Sequence, residues 1–166
     1  MQKVALITGC SSGIGKSTAL EFARDGIYTF ASMRDISKGI ELSDIAQKEG
    51  LDLEIITLDV TNSQEIDEVF KKILEKKDRL DILVNNAGFM IMGAFEDVDI
   101  SQFDLQWKTD FLGPAMLMKK ALPIMRNQGT DNDGIRGNII NVSSIAGKIP
   151  FAYGSAYISS KFALLR

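Results

Sequence analysis

The feature that most constrains the fold of this chain is an alternation. Short runs rich in Val, Ile and Leu, at 3–8, 28–33, 52–58, 81–85 and 138–142, are separated by amphipathic stretches at 14–25, 38–49, 63–77, 101–126 and 154–165. The short runs read as strands buried on both faces of a parallel sheet. The longer stretches read as the helices that cover it. The third is the clearest: Ile66, Val69, Phe70, Ile73 and Leu74 recur at the spacing of one helical face. Asn62 with Glu65 reads as its capping box. Strands that return through helices are joined by right-handed crossovers, so the expected fold is a doubly wound α/β sheet. Such sheets bind ligands beyond the C-terminal ends of their strands. The residues just after each strand are therefore the ones to inspect. The polar, turn-rich segment 127–134 reads as a surface loop without function.

At 166 residues the chain is expected to be one domain, 1–166. Net charge is −3 and no Lys/Arg cluster stands out, which argues against nucleic acid as a partner. No apolar stretch approaches the ~20 residues of a membrane span. The N-terminus runs straight into the first strand with no signal-peptide pattern, so cytoplasmic residence is the default expectation. Cys10 is the only cysteine, which excludes an intrachain disulfide. The chain has no His. That removes Ser-His-Asp and Cys-His catalysis and, with a single Cys, leaves no expected metal site.

The first strand runs into Thr8-Gly9-Cys10-Ser11-Ser12-Gly13-Ile14-Gly15 as a helix begins. Glycines here permit a sharp turn and let a pyrophosphate approach the helix N-terminus, where free N–H groups bind the anion. A Walker A loop is excluded by spacing, because five residues rather than four separate Gly9 from the Gly15-Lys16 pair. At the end of the second strand, Met33 stands where an acidic residue would bond a ribose 2′-hydroxyl, and Arg34 follows it. An Arg there accepts a 2′-phosphate, which favours NADP over NAD, although Asp35 could pair with Arg34 or with the ribose. After the third strand, Asp59 with Val60 could meet the adenine, or Asp59 could cap the next helix. After the fourth, Asn85-Asn86-Ala87-Gly88 allows close backbone approach. Near the end, Tyr157 and Lys161 are four apart, one above the other on a helix.

Taken together, Thr8-Gly9-x-x-x-Gly13-x-Gly15, Asn85-Asn86-Ala87-Gly88, Ser144 and Tyr157-x-x-x-Lys161 resemble the short-chain dehydrogenase/reductases in order and spacing. The glycine spacing is similar to the compact, non-extended branch. The segments 9–13 and 30–35 look most like its hydroxysteroid and retinol dehydrogenase-like members. The resemblance implies a Rossmann fold with strand order 3-2-1-4-5, lacking the last strands of the family fold. It implies an NADP-dependent oxidoreductase that interconverts a hydrophobic alcohol and its ketone or aldehyde. Its cofactor would be held by Gly9, Ser11, Ser12, Gly13, Ile14, Gly15, Arg34, Asp59, Val60, Asn86, Ala87 and Gly88, with Tyr157 and Lys161 at the nicotinamide end. Tyr157 would be the general acid/base, its phenolate favoured by the Lys161 ammonium and by an oxidised nicotinamide. Lys161 would also bond the nicotinamide ribose. Ser144, thirteen residues before Tyr157, would hydrogen-bond the reacting oxygen.

The family's fourth catalytic residue is an Asn, and here its position is Asp110, a departure that implies reduced turnover. Phe89, Met90, Ile91, Met92, Phe95, Phe151, Ala152 and Tyr153 suggest an apolar substrate rim. In the family, further strands and much of the substrate pocket follow the position of Arg166, and complete members usually form homo-oligomers. Without those strands the fifth would be an exposed sheet edge. The alternative expectation is therefore a catalytically silent dinucleotide-binding fragment.

Overall fold

The computed structural model of the chain describes residues 2–131 and 134–165. Five parallel strands, β1 (Val4–Thr8), β2 (Tyr28–Met33), β3 (Leu53–Thr57), β4 (Ile82–Asn85) and β5 (Asn138–Asn141), form one sheet in the order β3-β2-β1-β4-β5. Among the described residues, six α-helices connect or follow them: α1 (Gly13–Arg24), α2 (Ile40–Glu49), α3 (Ser63–Lys77), α4 (Ile100–Trp107), α5 (Gly113–Asn127) and α6 (Ser155–Leu164). The chain winds outward from β1 through β2 to β3. It then crosses back to β4, which pairs with the other side of β1. This reversal opens a crevice above the C-terminal ends of β1 and β4, the place where such sheets bind ligands.

Two apolar clusters pack the sheet between helix layers. One gathers Leu6, Phe30, Ile66, Phe70, Ile73, Leu83 and Leu117, and the other Ile7, Ala19, Leu20, Ala31, Leu42 and Val84. The expectation of burial on both faces holds for the inner strands β1, β2 and β4. It fails for the edges. β3 is partly exposed, and on β5 Ile140 is 44% exposed, because β5 has a neighbour on one side only.

Local chemistry explains most boundaries. Asn62 Oδ1 accepts from the Gln64 and Glu65 N–H groups and caps α3. The expected return bond of the capping box goes elsewhere: Glu65 Oε2 accepts from the Asp59 N–H at 2.6 Å, while Oε1 takes the Asn62 side-chain amide. A 3-10 turn, Ile36–Gly39, leads into α2 and is capped by Asp35.

The long helix read at 101–126 spans Ile100 to Asn127 but is not one α-helix. A π-turn at Lys108–Leu112 separates α4 from α5. Pro114 has no N–H to give the Asp110 carbonyl, so regular α-helix would fail there, and a wide turn absorbs the mismatch.

Of the 127–134 loop, Asn132 and Asp133 lie outside the described residues. The rest is tied to the sheet: Gln128 exchanges side-chain bonds with the Leu80 backbone, and Asp131 pairs with Lys3 at 2.9 Å. Among the described residues, no helix is long and apolar enough to cross a membrane, and no cluster of His, Cys, Asp and Glu could hold a metal ion.

Candidate dinucleotide cleft and catalytic pair

The turn from β1 into α1 is built around two glycines. Gly9 has φ +74°, a left-handed conformation, and a Cβ on it would lie 2.8 Å from Ala87 Cα. Gly15 packs directly on the same turn, where a Cβ would sit 2.5 Å from Gly9 O. Asn86 locks the turn from the other side: its amide donates to Thr8 O at 2.8 Å and to Gly9 O at 3.2 Å. The Cys10 thiol points into the core, donates to Ile7 O, and is pushed up to about 12 by burial, so it is chemically inert. Ser12 is the N-cap of α1, yet its side chain makes no capping bond. The N–H groups of the first turn therefore remain to be met by an anion.

A cleft of about 310 Å³ opens above this turn. Gly9, Ser11, Ser12 and Ile14 form its floor. Arg34, Asp59 and Val60 come from the ends of β2 and β3. Asn86, Ala87 and Gly88 come from the end of β4. Ten of the residues expected to hold a dinucleotide thus share one cleft. Gly13 and Gly15 are not among its lining residues, and Gly15 acts from behind by admitting the Gly9 carbonyl.

Asp35 and Asp59, each open to two readings in the sequence, both have partners within the chain. Asp35 Oδ1 accepts from the Ser37 hydroxyl at 2.6 Å and from its N–H at 3.0 Å, bonds that hold the carboxyl below its ordinary range. Arg34, not Asp35, lines the cleft. Asp59 Oδ1 accepts from the Thr61 hydroxyl and N–H, so Asn62 rather than Asp59 caps α3. The cleft also takes in Met33, Leu58, Phe89 and Thr109. Thr109 was missed; its one signal is that it precedes Asp110 in a helix leading to the cleft.

Ser144, Tyr157 and Lys161 are not among the residues lining that cleft. They gather at the end of β5 and on α6. Ser144 leads into a short 3-10 turn and its Oγ accepts from the Ala146 N–H at 3.1 Å. Tyr157 is half-buried, and the Lys161 Nζ sits 5.5 Å from its ring centroid, as the i, i+4 spacing requires. Lys161 is buried and donates to Val142 O at 3.3 Å, which brings the ammonium to the strand end just before Ser144.

Asp110, in the π-turn, is fully buried and faces the same ammonium: its Oδ2 is 3.3 Å from Lys161 Nζ. That oxygen has no true hydrogen-bond partner, while Oδ1 accepts weakly from the Phe89 N–H. Burial pushes the Asp110 carboxyl up, and the Lys161 charge opposes that rise without cancelling it. Gln106, also buried and also missed, clamps the loop after β4 by donating to Phe89 O and accepting from the Ile91 N–H. An amide three residues after Phe103, on the same helical face of α4, was its signal.

The apolar rim residues lie in the segments after β4 and before α6. Phe89, Met90, Met92, Phe95, Phe151 and Tyr153 are exposed rather than packed in the core. The two rim segments are joined by a bond from the Gly93 N–H to Tyr153 O, and Tyr153 adopts φ +65°.

The family model described as "short chain dehydrogenase" matches residues 3–166. A 3-ketodihydrosphingosine reductase of Bacteroides thetaiotaomicron is 35% identical over 162 residues, covering 98% of this chain and 54% of that protein. A short-chain dehydrogenase from Streptomyces avermitilis superposes with TM-score 0.88 at 35% identity, over 99% of this chain and 57% of the other. A metagenomic short-chain oxidoreductase in complex with NADP gives 0.89 at 31%, over 98% and 72%. The chain thus spans little more than half the length of the first two of these proteins. With the glycine turn, the 3-2-1-4-5 sheet and the Tyr157–Lys161 pair already in register, this match means that the chain belongs to the short-chain dehydrogenase/reductase family.

Proposed function

We propose that the chain carries the cofactor cleft and catalytic pair of an NADP-dependent oxidoreductase that interconverts a hydrophobic alcohol and its ketone or aldehyde. The observation that supports it most is Lys161, buried on α6 beside Tyr157 and bonded to Val142 O at the end of β5. A dinucleotide fits the residues present. Gly9 has no room for a side chain, and the first turn of α1 keeps its N–H groups free of side-chain caps. When bound, the nicotinamide supplies or accepts hydride.

The protein's own groups handle the proton. Tyr157 gives its hydroxyl proton to a carbonyl oxygen in reduction and takes it from an alcohol in oxidation. Lys161 places positive charge beside the phenol and would hold the ribose of a bound nicotinamide. Ser144 already accepts from Ala146, which leaves its O–H to donate to the reacting oxygen.

NADP is the preferred form on this reading, because Arg34 lines the cleft while Asp35 is engaged with Ser37. The exposed apolar rim favours a hydrophobic substrate of hydroxysteroid or retinoid type. One relative is named for a ketone substrate and one neighbouring structure holds NADP, which agree with this reading. A homo-oligomer is the expected state of the complete protein.

The test is to mix the purified chain with NADPH and hydrophobic ketones and follow loss of the reduced-nicotinamide absorbance. Turnover that disappears in Tyr157→Phe supports the proposal; turnover that survives it overturns the role of Tyr157. A second reading, dinucleotide binding without turnover, is favoured by the open β5 edge beside the catalytic pair. NADPH binding with no oxidation of any ketone would select it.

A further inference from the structure

We propose that Asp110 biases the cleft toward the oxidised cofactor: its carboxylate cancels the charge of the Lys161 ammonium, so a cationic nicotinamide ring meets a neutral pair instead of a lone buried cation. The inference rests on the reading above, which puts the ring beside Lys161.

Three observations carry it. Asp110 and Lys161 are both buried, at 0% and 5% exposure, and their charges lie 3.3 Å apart. Charges so placed are poorly screened by salt and water. The carboxylate also lies directly behind the cleft wall: a Cβ on Gly88, which lines the cleft, would be 3.2 Å from Asp110 Oδ1. Only a residue without a side chain separates the carboxylate from the ligand. Finally, Oδ2 has no hydrogen-bond partner, so hydrogen bonding does not account for a charge at that atom, and its compensation comes from Lys161.

The other groups around Asp110 are neutral. Gln106 comes from α4, and the Phe89 N–H and Gly88 come from the loop after β4. On the elements packed against α6, Asp104, Lys108 and Lys148 are exposed, and the first two pair with each other at 2.6 Å. Tyr157, on α6 with its ring 5.5 Å from Lys161 Nζ, is the other titratable group at the pair, and Lys161 is the charged partner of Asp110.

The oxidised and reduced cofactors differ in this region by one positive charge on the ring. Their phosphates are identical, so phosphate titration cancels in a ratio of affinities. A neutral pair is indifferent to that charge; a lone ammonium repels it. Burial holds the Asp110 carboxyl above the ordinary range, so the effect weakens as pH falls toward that raised value.

The experiment is calorimetric or fluorescence titration of the 166-residue chain with NADP+ and with NADPH. The readout is the ratio of Kd for the oxidised form to Kd for the reduced form. In Asp110→Asn at neutral pH this ratio is expected to rise about three- to tenfold. With Tyr157→Phe in both proteins, so that no phenol titrates beside Lys161, the ratio should rise as the pH is lowered from neutral when Asp110 is present and stay flat in Asp110→Asn. If Asp110→Asn does not fold, the pH series on Tyr157→Phe with Asp110 in place decides alone. Binding of both forms with a ratio that neither the substitution nor pH moves overturns this inference and leaves the proposed function standing. Failure of the unsubstituted chain to bind either form overturns both.

Discussion

Thr8 and Asn86 hold the two central strand ends together. The Thr8 hydroxyl accepts from the Asn86 N–H at 3.0 Å and the Ala87 N–H at 2.9 Å, while its carbonyl accepts from the Asn86 amide. Thr8 is 1% exposed, so water cannot replace these bonds. Thr8→Val keeps the shape and strands two N–H donors. It should cost about 2 kcal/mol in chemical denaturation and weaken NADPH binding, because the strand ends that frame the cleft lose their cross-link. A denaturation midpoint equal to that of the unsubstituted protein would count against this account.

The glycines of the first turn are not equivalent. Gly9 and Gly13 both have positive φ, but a Cβ on Gly13 meets nothing within 4 Å, whereas one on Gly9 strikes the backbone of Ala87. Gly13→Ala should cost about 1 kcal/mol, the price of the left-handed backbone alone. Gly9→Ala should cost more than that and lower NADPH affinity at least about tenfold, because relief of the clash must move the cleft wall. Parallel denaturation and binding curves separate the two effects.

What the sequence could show depended on distance along the chain. The β/α alternation, the glycine turn and the Tyr157–Lys161 spacing are local patterns, and each is where the periodicity puts it. The π-turn was not legible, because it follows from a carbonyl at Asp110 that Pro114 cannot serve within a helix that otherwise reads as continuous. Ile139 and Ile140 read as buried, since an apolar run does not say whether its strand has one neighbour or two. The Asp110–Lys161 pair joins two helices remote in sequence, so no local pattern shows it, and its charge interaction was to be expected only through the family resemblance. The bonds that the Ser37 hydroxyl and N–H give the Asp35 carboxylate were likewise hidden, because an Asp followed by a Ser two residues on does not say what else the carboxylate meets.

Arg34 provides the sharpest test of cofactor choice. Arg34 lines the cleft next to Met33, and a guanidinium there suits a 2′-phosphate on the proposed reading. Arg34→Ala should weaken NADPH binding by about tenfold or more and leave NADH binding nearly unchanged. Equal losses for the two cofactors would mean that Arg34 acts on the fold or on a shared part of the ligand.

Trp107 ties α6, the helix of Tyr157 and Lys161, to α4. Its indole N–H donates to Ser159 Oγ at 3.0 Å, and that hydroxyl donates onward to Ala156 O, one residue before Tyr157. Trp107→Phe removes the donor and keeps an aromatic ring against Phe111, its edge-on neighbour. The expected loss is about 1 kcal/mol, with faster amide hydrogen exchange confined to α6. Exchange that accelerates evenly across the sheet would point to general loosening instead.

The acid limb of stability should report on Glu54. This carboxylate, on the β3 edge, is met by Lys72 at 2.8 Å, Lys76 at 2.6 Å and the Tyr28 hydroxyl at 3.1 Å. Partial burial pushes its carboxyl up, but the three partners outweigh that and hold it below the ordinary value of 4.5. A depressed carboxyl binds its proton less readily in the folded chain than in the unfolded one, so its contribution is complete above pH 4.5 and is lost as pH falls through the depressed value. Glu54→Gln should therefore destabilise the protein at neutral pH by about 1 kcal/mol, and the gap between the two proteins should close as the pH falls below 4.5. A gap that persists unchanged into acid would show that Glu54 acts through packing on Tyr28 and not through its charge.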